Sequence, residues 1–338
     1  MNAARFGEIT SRYRDLRLAV IGDFCLDRYL EIDPVRAEVS IETGLPVHNV
    51  TRVRASPGAA GTIVNNLCAL GVGSIHPVGF VGEDGEAYEL RRALASLPGV
   101  NLGDILQTPE RRTFTYCKPL VLEMGKPPRE LNRLDSKNWT PTPESIQRRL
   151  AASVTNLATS VDAMVVMDQV DVAETGVVTS RVRDALQDVL AANPQFITIA
   201  DSRRSLAEFP PLAFKMNAAE LAFLMGESGS ASIDEVKARA TSLALRNQQR
   251  VFITLAERGI VGASPLGAVE HVPAFPVRGA IDVVGAGDSV TAGLATALAA
   301  GAEIREAMLL AMAAASIVVH QLGTTGTASV GQIAELLG

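Results

Sequence analysis

A chain of 338 residues, 47% of them hydrophobic and 28 of them glycine, can form one large α/β domain with an appendage or two domains. A formal net charge of −6 with no basic run argues against a nucleic-acid partner, and four histidines without ligand spacing provide no metal motif. Cys25, Cys68 and Cys117 are odd in number and far apart, which fits structural thiols in a reducing compartment better than a disulfide framework.

Residues 1–16 are polar and lack the apolar core of a signal peptide, and no uncharged apolar stretch approaches the roughly 18–20 residues needed to span a bilayer. The expectation is a cytoplasmic enzyme with no membrane contact. Residues 16–24 (LRLAVIGDF) form a near-continuous apolar run ending in Gly-Asp, the pattern of a parallel strand covered on both faces. Residues at the carboxyl end of such a strand open on the ligand crevice of an α/β sheet. Asp27, in Gly22-Asp23-Phe24-Cys25-Leu26-Asp27-Arg28-Tyr29, therefore lies either at that crevice or in a surface turn.

From 30 to 56, and again from 111 to 134, the pattern changes to short β-like pieces, including the alternating Thr113-Phe114-Thr115-Tyr116-Cys117-Lys118. Two such inserts separated by helical sequence pair only if they meet in space. The expected object is a small sheet standing off a core of residues 1–29, 57–110 and 135–338 as a lid. Its exposed face is either a homodimer surface or simply solvated. Between the inserts, 57–71 begins a helix with small residues, which allow a ligand close to the backbone, and ends it at Gly71. In 76–85, Glu83 and Asp84 read as turn and cap residues rather than catalysts.

Residues 163–168 (AMVVMD) are another buried strand ending in an acid at the crevice edge, and 195–201 a further one, closing in Asp201-Ser202-Arg203. Glu220 follows Asn217 by about one helical turn. That spacing suits a capping box, and it also lets both side chains reach one Mg2+ through its water shell. Residues 250–255 are a strand, and the helical run 303–320 precedes a small polar loop, 322–327.

Before that helix, residues 281–293 run from a short apolar piece through small residues into an Ala/Leu-rich helical segment. Gly285, Ala286 and Gly287 then lie at a helix N-terminus, where backbone N–H groups and the helix dipole face an anion. Asp288 follows at once. An acid there repels a bound phosphate, but it suits removing the proton from a hydroxyl that attacks one. A tight turn with an N-terminal acid would use the same residues.

Asp282-Val283-Val284-Gly285-Ala286-Gly287-Asp288-Ser289 resembles the D-T-x-G-A-G-D-[ST] signature of the ribokinase (PfkB) family of sugar and nucleoside kinases. Gly22 to Tyr29 is similar to the G-D-x-x-L-D-R-Y opening of its heptose-phosphate kinases. The resemblance implies an α/β, ribokinase-like three-layer sandwich with a mostly parallel central sheet and a small β-sheet lid. It implies Asp288 as catalytic base and Gly285, Ala286 and Gly287 as anion hole, with Asp282 near a monovalent cation such as K+. Asp27 would hold sugar hydroxyls. Gly58 and Thr62 fall in the sugar-contacting segment P-G-G-A-x-N-x-A, where Ala59 replaces the second glycine and Thr62 the asparagine. A threonine cannot reproduce an amide's bidentate grip, which leaves the sugar open.

Asp168 falls where the heptose kinases carry an acid at the sugar edge, although their following Tyr and Lys are absent. The resemblance further implies Asn217 and Glu220 near Mg2+, Arg203 toward phosphate, Thr254 and Gly259 in a nucleotide segment, and Gly323 in the loop beside adenine and ribose. The implied activity is ATP- and Mg2+-dependent phosphorylation of a sugar or sugar-phosphate hydroxyl. The alternatives are a nucleoside kinase and a non-catalytic sugar-binding or regulatory protein on the same fold. The retained Asp288 argues against the last, since a binder needs no base at an anion hole.

Overall fold

The computed structural model describes all of the chain except Ser228, Ser230 and Thr324. Its centre is a nine-stranded sheet. From one edge the strands run Ile105–Gln107, Ser74–Val81, Arg17–Gly22, Ala163–Asp168, Ile197–Ser202, Ala213–Asn217 and Val251–Thr254, all parallel. Ile260–Ala263 and Val269–Val272 complete the sheet as antiparallel strands.

The continuous apolar runs have a simple cause. Leu18 and Val20 point into one core with the helices Ala60–Ala69, Ala286–Ala299 and Ile304–Val318. Ala19 and Ile21 point into a second core with Glu144–Leu157, Ser180–Ala192 and Ile233–Asn247. The inner parallel strands are buried on both faces, so period-two alternation disappears there and a three-layer sandwich results. Among the described residues no helix is long and apolar enough to cross a membrane.

A second, five-stranded sheet is built on Phe24–Ile32, which pairs antiparallel with Val50–Ala59 and parallel with Phe114–Val121. Leu134–Ser136 and Arg129–Glu130 extend it along Phe114–Val121. The chain enters this sheet at Phe24 rather than at residue 30, because Asp23 turns it out of the core. The Asp23 carboxylate accepts from the N–H groups of Gln169 and Val177, both at 2.8 Å, and its carbonyl accepts from Ala60 N at 3.2 Å. For the same reason the helix expected from residue 57 starts at Ala60: residues 57–59 finish the strand.

Candidate active site

The parallel strands all end on the side where the second sheet leaves the core, and the candidate residues gather there. On Phe24–Ile32, alternation sends Phe24 and Leu26 into the first core and Arg28 to Glu86 and Glu89. Cys25, Asp27 and Tyr29 take the opposite face. Asp27 is only 7% exposed. Its Oδ1 accepts from Lys118 Nζ at 3.0 Å, and Lys118 lies 4.9 Å above the Tyr29 ring. Gly58 faces the same carboxylate.

Thr62 is buried in the first turn of Ala60–Ala69. A side chain built on Gly285 would meet its methyl at 3.5 Å, and Thr325 at 3.6 Å on the terminal loop. Thr62 thus brings the Ala60–Ala69 helix against the signature loop. Gly285 is the N-cap of Ala286–Ala299 with φ 82°, a left-handed conformation that favours glycine, and among the described residues no side chain caps the helix.

Of the three amides expected to form an anion hole, one is already engaged. Ala286 N donates to Val283 O at 3.2 Å, closing a turn, so its amide is partly spent. Among the described residues, the N–H groups of Gly285 and Gly287 have no protein acceptor. Asp288 is half-buried in the first helical turn. Burial pushes its pKa up to about 7; Asp201 and Asp27 add to the rise and Lys215 opposes it.

Asp168 does not open onto that cleft. It is 0% exposed, and its Oδ2 accepts from Ser202 Oγ at 2.8 Å and Arg204 Nη2 at 3.3 Å. Burial raises its pKa. In this arrangement it anchors the 202–205 turn, and a sugar would reach it only by displacing those partners. Gly259 is likewise fixed by packing: a Cβ there would lie 2.0 Å from Val272 O. Thr254 stands beside Asn217 at the carboxyl ends of two interior strands and donates to Met216 O at 3.4 Å.

Asp282 binds backbone. Its Oδ1 accepts from Val284 N at 3.0 Å and its Oδ2 from Gly323 N at 3.3 Å, tying the signature to the terminal loop. Thr324 of that loop lies outside the described residues.

Asn217 caps Ala218–Met225 in a reciprocal box: Asn217 Oδ1 accepts from Glu220 N at 2.9 Å, and Glu220 Oε2 from Asn217 N at 2.7 Å. Both line a cavity of about 270 Å3 with Arg203, Arg204, Met216 and Phe223. Among the described residues the second carboxylate oxygen of Glu220 has no hydrogen-bond donor, which suits a hydrated Mg2+ held through water. Among the described residues no cluster of three or more His, Cys, Asp or Glu could cage a metal, so the rest of the shell would be water and ligand oxygen.

A family model described as "pfkB family carbohydrate kinase" matches residues 16–330. This chain belongs to the pfkB family of carbohydrate kinases.

The bifunctional protein HldE of Bradyrhizobium sp. (strain ORS 278) is 28% identical over 325 residues, covering 96% of this chain and 64% of that protein. HldE of Syntrophotalea carbinolica is 31% identical over 346 residues, covering 100% of this chain and 66% of that protein. The chain therefore spans about two thirds of the length of these pfkB relatives.

Solved structures share the fold at lower identity. A putative sugar kinase from Clostridium perfringens superposes with a TM-score of 0.73 at 17% identity, covering 95% of this chain and 96% of that one. Arabidopsis thaliana ribokinase, complexed with ribose and ATP, gives 0.69 at 18%, covering 95% and 98%. The sheet order and the second sheet described above are thus a ribokinase-like fold.

Within this pfkB kinase, sequence reasoning passed over Lys215. Its ammonium is buried and donates to Asp201 Oδ2 at 2.7 Å, and Thr291 Oγ1 of the signature helix lies 3.2 Å from the same oxygen. A lysine inside the otherwise apolar run AFKM was the available signal. An unpaired buried ammonium is costly, so such a residue demands a partner.

Proposed function

We propose that this carbohydrate kinase transfers the γ-phosphoryl group of ATP to a hydroxyl of a sugar or sugar phosphate held between the second sheet and the signature loop. Asp27 accepts hydrogen bonds from the acceptor's hydroxyls and orients them. Asp288 takes the proton of the attacking hydroxyl as its oxygen bonds to the γ-phosphorus; the bond to the bridging oxygen breaks and ADP leaves. The amides of Gly285 and Gly287, with the helix dipole behind them, hold the phosphoryl oxygens, and Ala286 joins them if its turn bond opens. Mg2+ would supply positive charge to the nucleotide phosphates. Asn217 and Glu220 are the residues to hold its water shell, with Arg203 and Arg204 lining the same cavity.

One observation supports this reading above the others. Asp288 lies in the first turn of a helix whose N-terminus no side chain caps among the described residues, and burial raises its pKa to about 7. A base poised near working pH beside unspent amides is what proton removal during phosphoryl transfer needs. Related folds take acceptors of both kinds: Escherichia coli phosphofructokinase-2 is in complex with fructose-6-phosphate, and the Arabidopsis ribokinase with ribose.

The test is ATP consumption with Mg2+ across a panel of sugars, sugar phosphates and nucleosides. Turnover with a sugar or sugar phosphate that Asp288→Asn abolishes supports the reading. Failure to bind or consume ATP with any acceptor overturns it, and a preference for nucleosides moves it to the neighbouring class.

The second sheet reads as a lid that excludes water during transfer. It also supports a homodimer. Its edge strand exposes Val50 and Val53, beside a 38–47 hairpin that exposes Val39, Ile41 and Leu45. A second copy would cover this apolar patch, and Ile41→Glu should turn a dimer measured by light scattering into a monomer. We place the enzyme in the cytoplasm, with its ATP.

A further inference from the structure

The chain passes from the core to the second sheet at Asp23, the one residue between the strands Arg17–Gly22 and Phe24–Ile32, and comes back along 137–143, from Leu134–Ser136 to the helix Glu144–Leu157. Both crossings grip the same loop, 169–179, which follows the strand Ala163–Asp168. At the first, the two carboxylate oxygens of Asp23 each accept one loop N–H at 2.8 Å, Oδ1 from Val177 and Oδ2 from Gln169. At the second, Thr142 donates through its N–H to Glu174 O and through its hydroxyl to Gly176 O, both at 2.7 Å. Lys137 Nζ adds a third tie, to Asp171 Oδ2 at 2.6 Å.

The fit at Asp23 is close. The residue is 1% exposed, and a Cβ on Gly176 would lie 2.4 Å from its Oδ1, so the loop backbone comes nearer to the carboxylate than any residue but glycine allows. Between the two ties Glu174 takes a φ of 64°, a left-handed conformation that strains a residue with a Cβ. A loop bent at that cost and fastened to both crossings is a fixed support for the second sheet. The slot between them is lined by Tyr116, Lys137, Gln169 and Asp171, and Tyr116 is the register partner of Asp27. The loop therefore faces the stretch of the lid that carries Asp27.

We propose that Asp23 is a positioning residue for the acceptor: by holding both ends of the loop against the start of Phe24–Ile32, it fixes the stand of that strand over the core and so the place where Asp27 presents its carboxylate. This rests on the reading of Asp27 as the residue that orients the acceptor. Two N–H groups facing one side chain require two acceptor oxygens. Asparagine offers one and sets its own NH2 against the other N–H, so the loop gives way on that side. Among the described residues neither the anion loop nor the Asn217–Glu220 box is hydrogen-bonded to the loop, so the nucleotide side stays as it was.

The test is steady-state kinetics of the full chain at pH 8, with ATP and the member of the acceptor panel that the wild type turns over fastest, each varied in turn. The pH is set by Asp23: burial, with the charge of Asp168 adding to it, raises its pKa, and both of its oxygens must be free to accept. Asp23→Asn should raise the acceptor KM about tenfold while the ATP KM stays within about twofold. Gly176→Ala keeps the carboxylate but crowds it. It should move the acceptor KM in the same direction, and it carries the test if Asp23→Asn does not fold. An acceptor KM that moves in neither variant, or acceptor and ATP KM values that rise together, overturns the proposal by making Asp23 a residue of the fold alone. A wild-type chain that turns over no acceptor refutes the kinase reading itself, which distinguishes the two failures.

Discussion

Oδ2 of Asp27 fills the space that a side chain at residue 58 would need: a Cβ on Gly58 would lie 2.4 Å from it. The two residues are diagonal neighbours across the antiparallel pair of Phe24–Ile32 and Val50–Ala59, where Gly58 lies opposite Cys25 and Asp27 opposite Ser56. Glycine at 58 is therefore a condition on where Asp27 points. Gly58→Ala should swing the carboxylate away from the acceptor and from Lys118. The expected result is a loss of about 10–100-fold in kcat/KM for the sugar, with KM for ATP little changed, since a displacement of about 1 Å can cost that much. Equal kinetics for variant and wild type would remove Asp27 from substrate orientation.

As the proposed base, Asp288 should set the pH dependence of activity. Only its ionised form accepts a proton, and its pKa is pushed up to about 7. Initial-rate measurements should show kcat/KM falling as pH drops through about 7, approaching tenfold per unit below it. Asp288→Asn should lose at least about a hundredfold in turnover while keeping its affinity for ATP, because the amides and the metal pair are untouched. A rate that stays level from pH 8 to 5 would assign the proton to another group.

The same carboxyl carries a stability cost whose sign follows from its direction of shift. Between about pH 4 and 7 the folded state keeps a proton on Asp288 that the unfolded chain releases, so the native state binds more protons there and stability falls as pH rises. The contribution is complete below the unfolded pKa near 3.8 and is lost above about 7. Asparagine never ionises. Asp288→Asn should gain on the order of 1–2 kcal/mol over wild type at pH 8 and close to nothing at pH 4, measured by urea unfolding. A difference that is the same at both pH values would mean the burial of this acid is not what costs stability.

Much of the fold was legible because parallel strands buried on both faces read as apolar runs, as 163–168 and 17–22 do. The lid was legible as two β-rich inserts, but its bounds were not. Asp23 turns the chain through contacts with Gln169 and Val177, and no local pattern carries contacts that distant in sequence. At the site, Asp288 and its glycines stood out by spacing, whereas the Val283–Ala286 turn bond depends on backbone angles. Asp168 looked like a sugar ligand because acids end strands at the crevice. Its capture by Ser202 and Arg204 depends on the neighbouring strand. Lys215 was hidden for a related reason: its explanation lies in Asp201 and Thr291, on two other elements.

Ala59 is the position where backbone and side chain disagree most plainly. Its φ of 53° and ψ of −118° place it where glycine is at ease and a residue with a Cβ is strained by about 1–3 kcal/mol. The conformation is imposed from both sides: residue 59 pairs with Phe24 at the end of its strand, while Ala60 N is held by Asp23 O as the helix begins. Ala59→Gly should relieve that strain at an entropic cost of about 0.4–1 kcal/mol in the unfolded chain, for a net gain of about 1 kcal/mol. Thermal unfolding checks it, with an expected rise in Tm of about 2 °C for a chain of this size. The acceptor KM should be read in the same variant, since Gly58 and Thr62 flank the site of change. A lower Tm would show that the turn tolerates its Cβ and that chain entropy outweighs the strain.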